Sequence, residues 1–189
     1  MLTIVAAGDG EREPALLRWG LIPRWAKDPR IGNKLINARA ETLFEKPSFR
    51  AAAGERRCLI LADGFYEWRQ RGRGKEPIYV RLRSKQPFGF AGLWESWRSP
   101  AGQEVRSCTI VTTEPNELLK PIHNRMPVIV PRELEALWLD PGVKSERELS
   151  EVLRPYPPEE LEAYVVSPLV NSPANERPEC VEPVQADPS

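Results

Sequence analysis

Apolar and polar residues alternate most regularly through the middle of the chain. RRCLILADGFYEWRQ and PIYVRLRS are two β-leaning runs separated by the basic, glycine-containing stretch RGRGKE, a pattern that predicts a hairpin. FGFAGLWESW and VRSCTIVTT form a second such pair across SPAGQE. Helical patterns come later: PNELLK, PRELEALWL and SERELSEVLR each open with Pro or Ser and carry acids in the first turn, as helix starts do. Strands followed by short helices, without the alternation of βαβ units, predict an α+β fold with a mainly antiparallel sheet. From Ser172 the pattern gives way to the proline-rich SPANERPECVEPVQADPS. Residues 1–171 are therefore expected to form a single domain, and 172–189 an extended segment laid on the surface or partly disordered.

Composition adds bounds. The chain has 189 residues, 41% hydrophobic and 29% charged, which suits one globular domain with a sizeable core. No apolar run approaches the length of a membrane span, and the opening MLTIVAAGDGERE lacks the basic-then-apolar order of a signal peptide. A cytosolic location with no membrane partner is the expectation. Cys58, Cys108 and Cys180 lie far apart, without the close pairing of a zinc site or a redox CxxC. Neither a metal nor a cofactor is expected, and the three are read as reduced core thiols. The net charge of zero conceals an asymmetry: residues 1–85 hold 18 Lys and Arg against 10 Asp and Glu, the remainder 9 against 17. The first part suits a polyanion, although two parts of one domain that attract each other would read the same way.

Four short stretches carry candidate chemistry. In WGLIPRWAKD, Trp19 is read as a core aromatic beside a turn, whereas Trp25, flanked by Arg24 and Lys27, is a candidate stacking platform for a nucleobase. In INARAET, Asn37 and Arg39 are two apart and share a face of an extended segment, an amide and a guanidinium suited to orienting a polar substrate and holding a phosphate. A surface loop with a helix cap would look alike. In ADGFYEWR, Asp63-Gly64 marks a tight turn and Glu67 follows inside an aromatic strand, where partial desolvation raises a carboxyl pKa and suits it to proton transfer. An outward-facing Glu on an alternating strand is the plainer alternative. Trp68 is expected on the opposite face, unable to share a pocket with Glu67 without a twist or bulge. The fourth stretch, KPIHNRMPVIV, contains the only histidine, His123, between two prolines and two residues from Arg125. A lone histidine is more often structural than catalytic. Together the four supply an acid–base pair, an orienting amide, two guanidiniums and exposed aromatics, which suits acid–base chemistry on a phosphate-bearing substrate with bases to stack.

WGLIPRWAKD, INARAET, RCLILADGFYEW, FAGLWE, SCTIVTT and IHNRMPVIV, in this order and followed by AYVVSPLVN and ECVEPV, closely resemble the SOS-response-associated peptidase family, the abasic-site-processing proteins. The resemblance spans nearly the whole chain. It implies a small closed or bifurcated, barrel-like β-sheet surrounded by helices, acting as a monomer on single-stranded DNA that contains abasic sites, in the cytoplasm and at the nucleoid. It also implies a covalent thiazolidine crosslink to the ring-opened sugar through a cysteine exposed by removal of the initiator Met, with autoproteolytic release and lyase activity. By match to the family's motifs, Asn37, Glu67 and His123 take the catalytic positions. Arg39 and Arg125 match phosphate-holding arginines, and Trp25 and Trp68 match aromatics of the DNA groove.

One departure stands out. Position 2 is Leu, where the family begins Met-Cys-Gly-Arg, and the family's segment before WGLIP has no counterpart. Three expectations compete. The first is that Met1 stands at an internal codon of a longer protein. The second is a degenerate paralogue that binds abasic or modified single-stranded DNA without covalent chemistry. The third is a cysteine-free reaction retained by Glu67 and His123, which needs another amine for an imine.

Overall fold

The structure is a computed structural model that describes residues 1–6 and 11–184. The strands, in chain order, are β1 (Leu2–Ala6), β2 (Arg12–Leu16), β3 (Arg18–Trp19), β4 (Asn37–Arg39), β5 (Arg57–Ala62) and β6 (Phe65–Arg71). They continue with β7 (Gly74–Leu82), β8 (Phe88–Arg98), β9 (Glu104–Thr113), β10 (Met126–Pro127), β11 (Ile129–Val130) and β12 (Leu161–Val165). Among the described residues three short α-helices accompany them: α1 (Arg50–Glu55), α2 (Glu135–Leu139) and α3 (Glu146–Leu149). The chain folds into two compact units. One comprises Met1–Leu61, Phe88–Glu114 and Pro127–Tyr156, the other Ala62–Pro87, Pro115–Met126 and the chain from Pro157 onward.

The first unit is built on a sheet in which β9, β8, β5, β1 and β2 follow one another. The predicted second strand pair is there: β8 runs antiparallel to β9 from Gly92↔Ile110 to Arg98↔Glu104. The start of β8 pairs instead with β11, Phe90 opposite Ile129. Besides its pairing with β5, β8 thus divides its length between β9 and β11, which makes the sheet bifurcated. β3 and β4 join β9 in parallel, with Asn37 opposite Ile110 and Arg39 opposite Thr112. A core that includes Leu21, Leu43, Leu93, Trp138 and Leu149, all fully buried, lies between this sheet and the helices.

Two buried arginines fasten that unit. Arg57, 3% exposed, donates to the backbone carbonyls of Ala53, Trp138, Asp140 and Val143, gathering the ends of α1 and α2 and the loop beyond. Its guanidinium also lies 5.6 Å from the Trp138 ring. Arg56 pairs with Glu95 at 3.0 Å, and Glu95 in turn accepts from Arg24 Nε at 2.7 Å and the Ser96 amide at 3.1 Å. Glu95 is 5% exposed, so removing its carboxylate strands a buried cation. E95A is expected to lose about 3 kcal/mol of stability in urea unfolding. A loss below about 1 kcal/mol would mean that Glu55, the exposed second partner of Arg56 at 2.6 Å, suffices.

The second unit carries the antiparallel sheet β12–β7–β6. The predicted hairpin exists but is divided differently. RCLILA is β5 of the other sheet, and only β6 pairs with β7, in an unbroken register from Phe65↔Val80 to Arg71↔Gly74. The division falls at Asp63-Gly64, where a Cβ on Gly64 would overlap the Tyr79 phenol. The hairpin turn is shorter than RGRGKE, because Gly74 to Glu76 already lie in β7; Gly72, at φ 57°, supplies the left-handed residue. PNELLK is not a helix but a stack of hydrogen-bonded turns, its apolar stretch too short and ended by Pro121. The segment from Ser172 lies against this sheet as far as residue 184. Tyr66 donates to the Cys180 carbonyl at 3.2 Å, Tyr164 to that of Val181 at 2.9 Å, and the Val184 amide to Val165. Residues 185–189 of that segment lie outside the described residues. All three cysteines are free and buried, as expected of core thiols.

Candidate functional site

A cleft of about 380 Å³ in the second unit is lined by Glu67, Trp68, Lys75, His123 and Asn171. Three of these are sequence candidates, and of the twist or bulge expected to bring Glu67 and Trp68 to one pocket, a bulge is excluded. The β6 register is continuous, but β6 is an edge strand of its sheet. At an edge, side chains from both faces reach a cleft that runs alongside.

Glu67 Oε2 lies 3.7 Å from His123 Nδ1. The carboxylate is largely covered, and this burial raises its pKa above the ordinary glutamate value while attraction to the His123 ring works in the opposite direction. A carboxyl shifted upward beside an imidazole is suited to passing protons near neutral pH.

The loop that presents His123 is fixed from within. Asn116 Oδ1 accepts from the Leu119 amide at 3.1 Å, and the His123 amide donates to the Leu119 carbonyl at 2.9 Å, around a fully buried Leu119 side chain. The ring itself is met by the Arg125 backbone. Nδ1 lies 3.3 Å from the Arg125 amide and 3.2 Å from its carbonyl, so one residue offers this nitrogen both a donor and an acceptor.

Trp68 Nε1 donates to Asn171 Oδ1 at 2.8 Å. Asn171 closes a 3₁₀ turn, Pro168–Asn171, whose N-cap Ser167 accepts from the Leu169 amide at 3.3 Å. With its N–H engaged, the indole offers the cleft its ring. Asn171 and Lys75 were not singled out by the sequence. Asn171 lay unremarked in AYVVSPLVN, and Lys75 was read as part of a turn.

Arg125, half-buried, also belongs to the second unit, whereas Trp25, Asn37 and Arg39 belong to the first. Asn37 and Arg39 are both exposed on either side of buried Ala38, the alternation expected of an extended segment. Trp25 is 58% exposed on a loop held by many bonds: the Gly20 amide to Cys108 at 2.9 Å, the Ile22 amide to Ser107 Oγ at 2.8 Å, Arg24 to Glu95, and Trp97 Nε1 to the Ala26 carbonyl at 2.7 Å. Gly20, at φ 109°, packs against Gly32 so closely that a Cβ on it would meet the Gly32 carbonyl. Trp19 corrects its reading as a core aromatic. It is 46% exposed, and its indole N–H reaches the Ile36 carbonyl at 2.8 Å, because β3 is only two residues long beside β9 and leaves the ring uncovered.

Comparison with known proteins places this arrangement. The chain is 51% identical over 183 residues to the abasic site processing protein YoqW of Bacillus subtilis, a match that covers 96% of this chain and 81% of that one. It is 36% identical over 204 residues to the abasic site processing protein HMCES of Gallus gallus, covering 95% of this chain and 60% of the relative. Among solved structures, a Bacteroides thetaiotaomicron protein superposes with a TM-score of 0.87 at 34% identity, covering 96% of this chain and 80% of that one. A Bordetella bronchiseptica protein gives 0.76 at 30% identity, covering 88% and 83%. The profile of one family, SOS response associated peptidase, matches residues 1–173, and the chain belongs to that family.

Proposed function

We propose that this chain processes abasic sites in single-stranded DNA as part of DNA repair. The observation that carries the reading is the Glu67–His123 pair, a covered carboxyl and an imidazole 3.7 Å apart, in a cleft where Trp68 offers its ring. An abasic sugar opens to an aldehyde, and capture of that aldehyde needs a proton delivered to the sugar oxygen and another removed from the attacking amine. Glu67 and His123 are assigned those transfers, with His123 assisting ring opening. By family resemblance alone, Asn37 is assigned to orienting the sugar, Arg39 and Arg125 to holding phosphates, and Trp25 and Trp68 to stacking on bases. The names of YoqW and HMCES support the substrate. Autoproteolytic release, lyase activity, a role in the SOS response, action as a monomer and location at the nucleoid belong to the same proposal by family resemblance.

Crosslinking as a thiazolidine needs an amine and a thiol on one residue. Cys58, Cys108 and Cys180 are internal and buried, so none of them meets that need. This favours a second reading for residues 1–189 taken alone: binding of abasic or modified single-stranded DNA without a stable crosslink. The two are separated by incubating this chain, beside a version extended upstream to the first in-frame Met-Cys, with single-stranded DNA bearing one abasic site, and resolving the products on a denaturing gel. The proposal predicts a heat-stable adduct from the extended protein only; a crosslink from neither leaves the binding role. Binding itself is expected to be weak and salt-sensitive. Two phosphate contacts correspond to about a sevenfold loss of affinity over a fourfold rise in salt, measured by fluorescence anisotropy. Affinity unchanged by salt would count against arginine–phosphate contacts.

A further inference from the structure

The cleft of the second unit contains a group that none of these roles uses. Lys75 lies on β7 opposite Gln70 and two residues from Pro77, the partner of Trp68, so it sits diagonally across from the indole on the same face of the hairpin. It lines the cleft together with Glu67 and His123. Two neighbouring cations of the hairpin are committed elsewhere: Arg69 and Arg71 both pair with Glu76, each at 2.5 Å. Lys75 is exposed and makes no ion pair among the described residues. A primary amine in one cleft with a carboxyl and an imidazole is the set of groups that imine chemistry on an aldehyde uses.

We propose that Lys75 is a cysteine-independent nucleophile for the ring-opened abasic sugar, and that through it this chain cleaves the DNA strand by β-elimination. The inference rests on the abasic-site reading above and adds the residue that attacks. The neutral Nζ bonds to the C1′ aldehyde carbon, and the carbonyl oxygen leaves as water with the two amine protons, giving an imine. Once the imine is protonated, Glu67 accepts a proton from C2′. The electrons of that C–H bond form the C2′–C3′ double bond as the C3′–O bond breaks, and the 3′ phosphate departs as a monoester. Water then hydrolyses the imine, which frees Lys75 and leaves an unsaturated aldehyde on the 5′ fragment. No oxidant or reductant is consumed.

The test uses the full chain with single-stranded DNA carrying one abasic site, in the presence of cyanoborohydride, which reduces an imine to a stable secondary amine. The trapped species is resolved on a denaturing gel and its peptide identified by mass. DNA binding is followed in parallel by fluorescence anisotropy without the reductant. The expected result is an adduct on the peptide that contains Lys75. In K75R, which keeps a cation but presents a guanidinium that does not add to aldehydes, the trapped adduct falls by about tenfold or more while the protein unfolds at the wild-type temperature. Binding without any adduct, or an adduct on the Met1 amine or another lysine that persists in K75R, overturns the assignment of Lys75. Absence of binding overturns the abasic-site reading and the assignment with it, so the two failures are told apart.

Discussion

E67Q is expected to lose activity on abasic DNA by about a hundredfold or more and, at neutral pH, to gain stability. The two effects share one cause. Burial raises the Glu67 pKa in the folded protein above its unfolded value, so the folded state binds that proton more tightly. The stabilising contribution is fully present below the ordinary glutamate range and is lost as pH rises through the raised value. At about pH 8 the wild-type protein holds a charge that its surroundings disfavour, and an amide of the same shape escapes that cost. Thermal unfolding of both proteins from about pH 4 to about pH 8 is the measurement. The expected outcome is a difference in Tm that favours E67Q at the alkaline end and shrinks or reverses at the acid end. A variant less stable than wild type at about pH 8 would show that burial does not disfavour the ionised carboxylate.

Arg57 is the second place where one substitution has a large consequence. R57L fills the site with an apolar chain of smaller reach and leaves the carbonyls of Ala53, Trp138, Asp140 and Val143 without their shared donor. A buried polar group deprived of its partner costs about 1–3 kcal/mol. With partial recovery through solvent, the expected loss is about 4 kcal/mol, a large part of the stability of a typical domain. Urea unfolding monitored by circular dichroism reads this directly. R57K supplies a contrast, because one ammonium has three donors and no planar fork, and its expected loss lies between wild type and R57L. An R57L protein as stable as wild type would mean that the helix ends are held by packing on Trp138 alone.

Arg57 also illustrates what a linear reading misses. The alternating runs identified β7, β8 and β9 and the pairing of β8 with β9, because alternation and turn residues are local signals. They joined β5 and β6 in one run, although Asp63-Gly64 reads as a tight turn between them, because the parting of RCLILA and FYEWRQR into different sheets depends on pairing partners elsewhere in the chain. Nor did they reveal that Arg57 is an interior residue, because its four acceptors come from two helices and a loop. The candidate site was legible to a similar degree. Glu67, Trp68 and His123 were picked out by residue type and neighbours, and they share one cleft. The coexistence of Glu67 and Trp68 there depended on β6 being a sheet edge, a property of topology that spacing does not contain. Lys75 and Asn171 enter the cleft through strand pairing and a terminal turn, and Trp19 was placed in the core because tryptophan usually is.

The backbone of Arg125 gives His123 a further quality. Because its amide and carbonyl both face Nδ1, that nitrogen finds a partner whether or not it carries a hydrogen. The imidazole therefore has no need to flip, nor the loop to rearrange, when a proton arrives or departs. For the proton transfers proposed for His123, the reorganisation that would otherwise accompany each reversal of role is settled in advance by the fold.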